Sequence, residues 1–152
     1  MFKQLLNKKL LKNEKGLTLI ELLAVVVILA IIAAIAIPAI GNIINTQRDK
    51  AVVAEMSSII SGAKIAFADG VCKPDTACSH ADLVPYVEKT KSESFTATFS
   101  AADKDWTISY KHKDGIKTDK IASLLGVATT GGIAAGTVAS YKEDVVRKAM
   151  GE

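Results

Sequence analysis

Residues 15–40 read KGLTLIELLAVVVILAIIAAIAIPAI. From Leu17 to Ile40 the stretch is almost solid Leu, Ile, Val and Ala. As a helix it would be about 36 Å long at about 1.5 Å per residue, enough to cross a hydrocarbon core of about 30 Å. One side chain resists that plain reading. Glu21 is the single charge in the run, and an acidic group at mid-bilayer costs about 2.5–3.5 kcal/mol on insertion scales. An ionisable residue in such a segment is a functional-site candidate, provided a partner can be named for it.

The flanks differ in charge. Residues 1–16 hold five lysines (Lys3, Lys8, Lys9, Lys12, Lys15) against Glu14, or +4, so residues 17–152 carry −1 of the total +3. The basic character is a leader effect, and the rest of the chain offers no general basic surface for nucleic acid. Lysines on the N-terminal side of an apolar span keep that side in the cytoplasm, and the C-terminal part of the chain is exported. Residues 1–16 read as a polar leader, disordered by itself. Cys72 and Cys78, in CKPDTAC, then fall on the exported side, where disulfides persist. Closing so short a loop contributes roughly 2–2.5 kcal/mol on a chain-entropy estimate. A structural disulfide is the leading reading, ahead of free thiols and of a metal site, whose usual spacing the pair does not match.

Beyond Ile40 the helical pattern continues to about residue 68 and changes character. Val52, Met56, Ile59, Ile60, Ala63 and Phe67 recur at three- and four-residue spacing, one stripe for packing on a globular head. Arg48, Lys50, Glu55 and Lys64 fall outside it. Pro38 and Gly41 lie between the halves. Proline removes one i→i−4 hydrogen bond and clashes with the preceding turn, so a kink or local melting is expected there. Asp69-Gly70 is a stop signal.

The head, residues 69–152, mixes short elements. ADLVPYVEK predicts a short helix with Asp82 as cap and Pro85 in the first turn. Phe95–Ser100 and Trp106–Lys111 alternate apolar and polar side chains and predict paired antiparallel strands, with Trp106 and Tyr110 in the core. Asp114-Gly115 is a hairpin signal that would make Ile116–Thr118 a short third strand. Asp119–Leu125 reads as a helical turn closed by Gly126, and TTGGIAAG as a loop. Val138, Tyr141, Val145 and Ala149 form a helical stripe, with Glu143–Arg147 and Asp144–Lys148 as i,i+4 pairs, predicting a final helix over Val138–Met150. The fold class is therefore α+β: a long N-terminal helix whose C-terminal half packs on a small head with an antiparallel sheet.

Three readings compete for the first forty residues. A secretory signal could be cut at Ala34-Ile35-Ala36, but the apolar run exceeds the usual 7–15 residues and no polar break comes after it. A plain single-pass anchor fits length and charge but leaves Glu21 unexplained. The third reading rests on KGLTLIELL, which resembles the prepilin cleavage and methylation site of type IV pilins and related pseudopilins. The resemblance covers about residues 12–68 and is specific over 15–23. It implies that a membrane peptidase removes the leader after Gly16, that Leu17 becomes the N-methylated first residue, and that Glu21 is the family's acidic fifth residue. Leu17 departs from the more usual phenylalanine. Pro38 stands where the family commonly has a helix-breaking proline.

The physical chemistry of these residues agrees with that resemblance. Cutting after Gly16 removes the +4 leader and creates an amine at Leu17 that keeps its charge when methylated. In a bundle of such helices Glu21 would meet the Leu17 ammonium of a neighbouring copy, so that the carboxylate is not buried alone. The pair would set axial register in a bundle otherwise free to slide.

The head offers little sign of catalysis. His80 and His112 lack recognisable ligand partners and read as surface or edge residues. No serine stands in a nucleophile-elbow motif, no phosphate loop is present, and Asp103, Asp105 and Asp114 do not have calcium-loop spacing. No cofactor or metal is implied. Lys111, Lys113, Lys117 and Lys120 could form a weak positive patch if copies repeat along a fibre, although solvated loop lysines are the simpler reading.

The function expected is that of a non-enzymatic pilus subunit: held in the cytoplasmic membrane as a precursor, N-terminus inside, then processed and polymerised into an extracellular filament. The resemblance implies adhesion, twitching motility, biofilm formation or DNA uptake as the fibre's work. It also implies a prepilin peptidase and methyltransferase, an assembly platform and cytoplasmic ATPases as partners. The first alternative is a pseudopilin of a type II secretion or competence machine. The second is a secreted or membrane-anchored binding domain.

Overall fold

The structure is a computed structural model; it describes residues 2–88, 90–127 and 131–151, with side chains from Thr18 onward. The chain divides into two compact units, Met1–Ile43 and Ile44–Glu152. A helix, α1, spans Phe2–Ala68 and so includes most of residues 1–16, where disorder was expected. The physical reason is composition: Leu, Lys and Glu are good helix formers, and Gly16 is the one poor residue in that stretch. The helix assignment runs without a break through Pro38 and Gly41.

In the second unit, α1 is the spine on which the head folds. Val53, Met56, Ile59, Ile60, Ala63 and Ala66 are buried, and Val52 and Phe67 are partly so. The stripe is the expected one, with the buried centre shifted onto Val53 and Ala66. It shares one cluster with the inner face of a three-stranded antiparallel sheet in the order β1-β2-β3, made of β1 (Phe95–Ser100), β2 (Asp105–Lys111) and β3 (Val138–Lys142). Register places Phe95 opposite Tyr110, Ala97 opposite Ile108 and Phe99 opposite Trp106. These alternate positions build the core face, and Trp106 and Tyr110 are buried in it. Phe67 of α1 joins Phe99 and Trp106 in an aromatic triangle with centroid separations of 5.1, 5.7 and 5.3 Å.

Several connections differ from the sequence-based expectation. The short helix α2 covers His80–Leu83 and is capped by Ser79, not Asp82. Asp82 is the reciprocal partner of a capping box, accepting from the Ser79 backbone N–H while the Ser79 hydroxyl accepts from the Asp82 N–H. A 3-10 turn, Val84–Tyr86, comes next, with Pro85 near its start. Ile116 makes no strand. It forms a single antiparallel bridge with Ile133, and Gly115 and Gly132 pack so tightly there that a Cβ on either would meet backbone of the other segment within 2.2 Å.

The third strand is instead Val138–Lys142, and the final helix, α4, starts five residues later than expected, at Glu143–Met150. Val138, Ala139 and Tyr141 suit either period. The free edge of β2 decides, because its backbone groups need partners. Asp119–Leu124 is helical as α3, with Gly126 at φ 76° after it. Part of TTGGIAAG, at 129 and 130, lies outside the described residues. The Glu143 carboxylate turns to Lys64 of α1 at 2.5 Å, not to Arg147.

Gly62 explains itself only in three dimensions. A Cβ there would lie 2.7 Å from the Tyr86 carbonyl oxygen and 2.6 Å from a Val87 methyl. A mid-helix glycine costs about 1 kcal/mol relative to alanine, offset here by close packing of α1 on the 3-10 turn. Gly62→Ala should therefore destabilise the head by about 1–3 kcal/mol, whereas Gly41→Ala, with nothing within 4 Å of its Cβ, should not. Denaturant titration of both variants checks this; equal stability of the two would contradict the packing account.

Candidate functional site

The residues picked from sequence occupy the first unit. The Gly16–Leu17 peptide bond lies within α1, before Thr18, from which side chains are described. Glu21 is exposed, with Leu19, Ile20, Leu22 and Leu23 around it at 62–70% exposure. Neither of the two ion pairs among the described residues involves it. None of the most apolar window of the Thr18–Ala68 helix segment is buried. By length and composition that helix is able to cross a membrane. That apolar stretch thus presents an exposed surface, with Glu21 as the one carboxylate between Thr18 and Ile40.

One comparison bears on this segment. Residues 11–37 match the family model of the prokaryotic N-terminal methylation motif. The match takes in Gly16, Leu17 and Glu21 and stops one residue before Pro38. No curated protein and no solved structure matches the chain.

The junction of α1 with the head depends on polar residues outside the apolar stripe. Asp49 is 2% exposed. It accepts hydrogen bonds from the backbone N–H of Lys117 and Thr118 and from the Thr118 hydroxyl, holding the 115–118 loop on the helix. Glu55 accepts from the N–H groups of Lys91 and Ser92 at 2.8 and 3.0 Å. The Tyr110 hydroxyl has its pKa pushed up, first by burial and then by Glu55. With Lys64–Glu143, three charged side chains fasten α1 to three separate parts of the head.

The disulfide forms a fourth fastening. Cys72 and Cys78 are joined and buried, and the Cys78 backbone pairs with Ala97 at the outer edge of β1. The loop between them is tied on as well, since Asp75 N–H donates to the Phe99 carbonyl and the Asp75 carboxylate accepts from Ala101 N–H.

His112 is not the surface or edge residue its lysine-rich context suggested. It is 1% exposed, between the rings of Tyr110 and Tyr141. Its Nε2 hydrogen-bonds the Tyr141 hydroxyl at 2.7 Å, and Nδ1 is buried without a partner. Burial pushes the imidazole down to about 4 and the Tyr141 hydroxyl up to about 12. The pair is a neutral structural link between β2 and β3. His80 sits at the start of α2, edge-on to Phe95 at 4.3 Å. Among the described residues no three His, Cys, Asp or Glu side chains gather as a metal site.

The low His112 pKa fixes a sign. The unfolded chain takes up this proton near pH 6.5 and the folded chain only near 4. The histidine therefore leaves stability untouched above pH 6.5 and erodes it as pH falls from 6.5 to 4, by up to about 3 kcal/mol. His112→Gln, measured by denaturant titration at several pH values, should show a shallower loss across that window than the parent protein. Parallel curves would contradict a buried neutral imidazole.

Proposed function

We propose that the chain is a type IV pilus subunit whose precursor is cut after Gly16, methylated at Leu17 and polymerised through residues 17–40. The observation that carries this reading is the exposed apolar helix with Glu21 near the start of its apolar run, inside residues 11–37, which match the methylation motif. In the precursor, lipid covers the helix and Glu21 lies close to the cytoplasmic interface, where its cost falls. In the filament, neighbouring helices replace lipid and the Leu17 amine of an adjacent copy faces Glu21. The pair contributes little net stability, because both charges must be desolvated. Its role is to fix register and to make an unpaired subunit the costlier state.

Residues 1–16 act as the leader, 17–40 as membrane span and filament core, and 41–68 as the arm that carries the head. A peptidase needs extended backbone at the scissile bond, and Gly16 is where α1 opens at least cost. Pro38 and Gly41 give the helix a place to bend or stretch on assembly. The peptidase and methyltransferase, the assembly platform and its ATPases are the partners this route requires. The subunit begins in the cytoplasmic membrane and ends outside the cell. A pseudopilin would share every one of these N-terminal features. Long surface fibres lost on deletion of the chain favour the pilus.

Replacing Glu21 by Ala should leave membrane insertion and cleavage after Gly16 intact while filament yield collapses, as read by membrane fractionation, intact mass and shear-released fibre. Normal piliation of Glu21→Ala would remove the register role.

A further inference from the structure

The two edges of the three-stranded sheet are finished differently. Two bonds at the strand ends fix which backbone groups turn which way: Lys111 N–H donates to the Ser94 carbonyl, and His112 N–H to the Thr137 carbonyl. Backbone groups alternate sides along a strand. Thr107, Ser109 and Lys111 therefore bond towards β1, and Ile108, Tyr110 and His112 towards β3. In β1 the residues left facing outward are Phe95, Ala97 and Phe99. Cys78 bonds Ala97 in both directions, and Asp75 N–H donates to the Phe99 carbonyl, so the disulfide loop caps this edge.

In β3 the outward residues are Val138, Ser140 and Lys142. Among the described residues, no loop, turn or further strand bonds the backbone of Val138 or Ser140 on that side. Lys142 spends its carbonyl at the N-cap of α4 and keeps its N–H outward. All three side chains are exposed, Val138 by 62%. An open edge of this kind is a template for one more strand.

The chain's own residues select that strand. A second copy cannot offer β1, whose edge is capped, so copies meet β3 to β3. Lys142 decides the direction. Parallel pairing in register would set two ammonium groups directly opposite each other, on strands about 4.8 Å apart. Antiparallel pairing centred on Ser140 sets Lys142 opposite Val138 of the partner subunit. The two lysines are then about 13 Å apart along the strands, at about 3.4 Å per residue, which exceeds a Debye length of about 8 Å. In this register the two Ser140 residues exchange both N–H···O bonds. Each Lys142 N–H donates to the carbonyl of the partner's Val138, and the lysine stem covers that exposed valine.

We propose that the outer edge of β3 is a self-recognition surface, which pairs antiparallel with β3 of a second copy of this chain and joins two heads into one continuous sheet. The contact is two-fold and closes on itself, so it is separate from the head-to-tail contacts that propagate a helical filament. It uses the head alone and does not rest on the pilus reading.

The test uses the full chain in detergent, with the Cys72–Cys78 disulfide intact and single cysteines added at the edge. A hydrogen-bonded antiparallel pair holds its Cα atoms about 5.5 Å apart, within the reach of a disulfide. Under mild oxidation Ser140→Cys should form a linked dimer several-fold faster than Asp103→Cys, which is exposed in the turn between β1 and β2. Val138→Cys mixed with Lys142→Cys should link to each other faster than either links to itself. In the unsubstituted chain, amide exchange at Ser140 and Lys142 should slow several-fold as protein concentration rises, with β1 unchanged. Linkage of Ser140→Cys no faster than that of Asp103→Cys overturns the inference, since collision alone then accounts for it. Preferred self-linkage at Val138 and at Lys142 overturns the antiparallel register. Exchange at Ser140 that is independent of concentration overturns the pairing without any variant.

Discussion

Keeping residues 17–44 away from water is the constraint on which the rest depends. The side chains from Leu19 to Ile44 are exposed on almost every side of the helix. Burial of apolar area is the dominant favourable term available to a chain, at about 25 cal/mol per Å². A segment this apolar is stabilised by surroundings that exclude water. Lipid and a bundle of like helices are comparable in greasiness, so hydrophobicity alone does not select between them. Glu21 does: it finds no partner in lipid and, on the proposed reading, a cationic one in the bundle.

The head is held on the helix by both apolar and polar contacts. The apolar stripe from Val53 to Ala66 gives affinity but little direction. Direction comes from Asp49, Glu55 and Lys64, which hold the 115–118 loop, the 91–92 segment and the start of α4 at three levels of the helix. The first two are carboxylates accepting from backbone N–H groups, a charge-assisted interaction stronger than a neutral hydrogen bond. Gly62 lets the 3-10 turn approach between them. The disulfide and the Cys78–Ala97 bridge close the outer edge of β1, leaving less unpaired strand edge for unwanted association.

Legibility in the sequence tracked the range of the interaction. The long helix, its apolar stripe and the first two strands came from periodicity, which is a local property. The methylation motif is equally local, its match covering residues 11–37. Asp49 was not singled out, and Glu55 and Lys64 were read only as lying outside the apolar stripe, because their partners are 36 to 79 residues away and a helical wheel records only apolar moment. His112 was misread for the same reason: lysines flank it in sequence, while Tyr110 and Tyr141 surround it in space. Val138–Lys142 fitted two periods at once, and only the unpaired edge of β2 resolves the choice. Gly62 did leave a signal, an isolated glycine in a strong helical pattern, which marks close packing when a neighbour requires it. The partner of Glu21 is legible in no single chain, since on this account it belongs to another copy.

Everything assigned to Glu21 requires the amine that a cut after Gly16 creates. N-terminal sequencing with intact mass of the mature protein, isolated from cells, measures this directly. The account predicts a chain that begins at Leu17 and carries one added methyl group. A chain that retains Met1, or one that begins at Ile37, would contradict it.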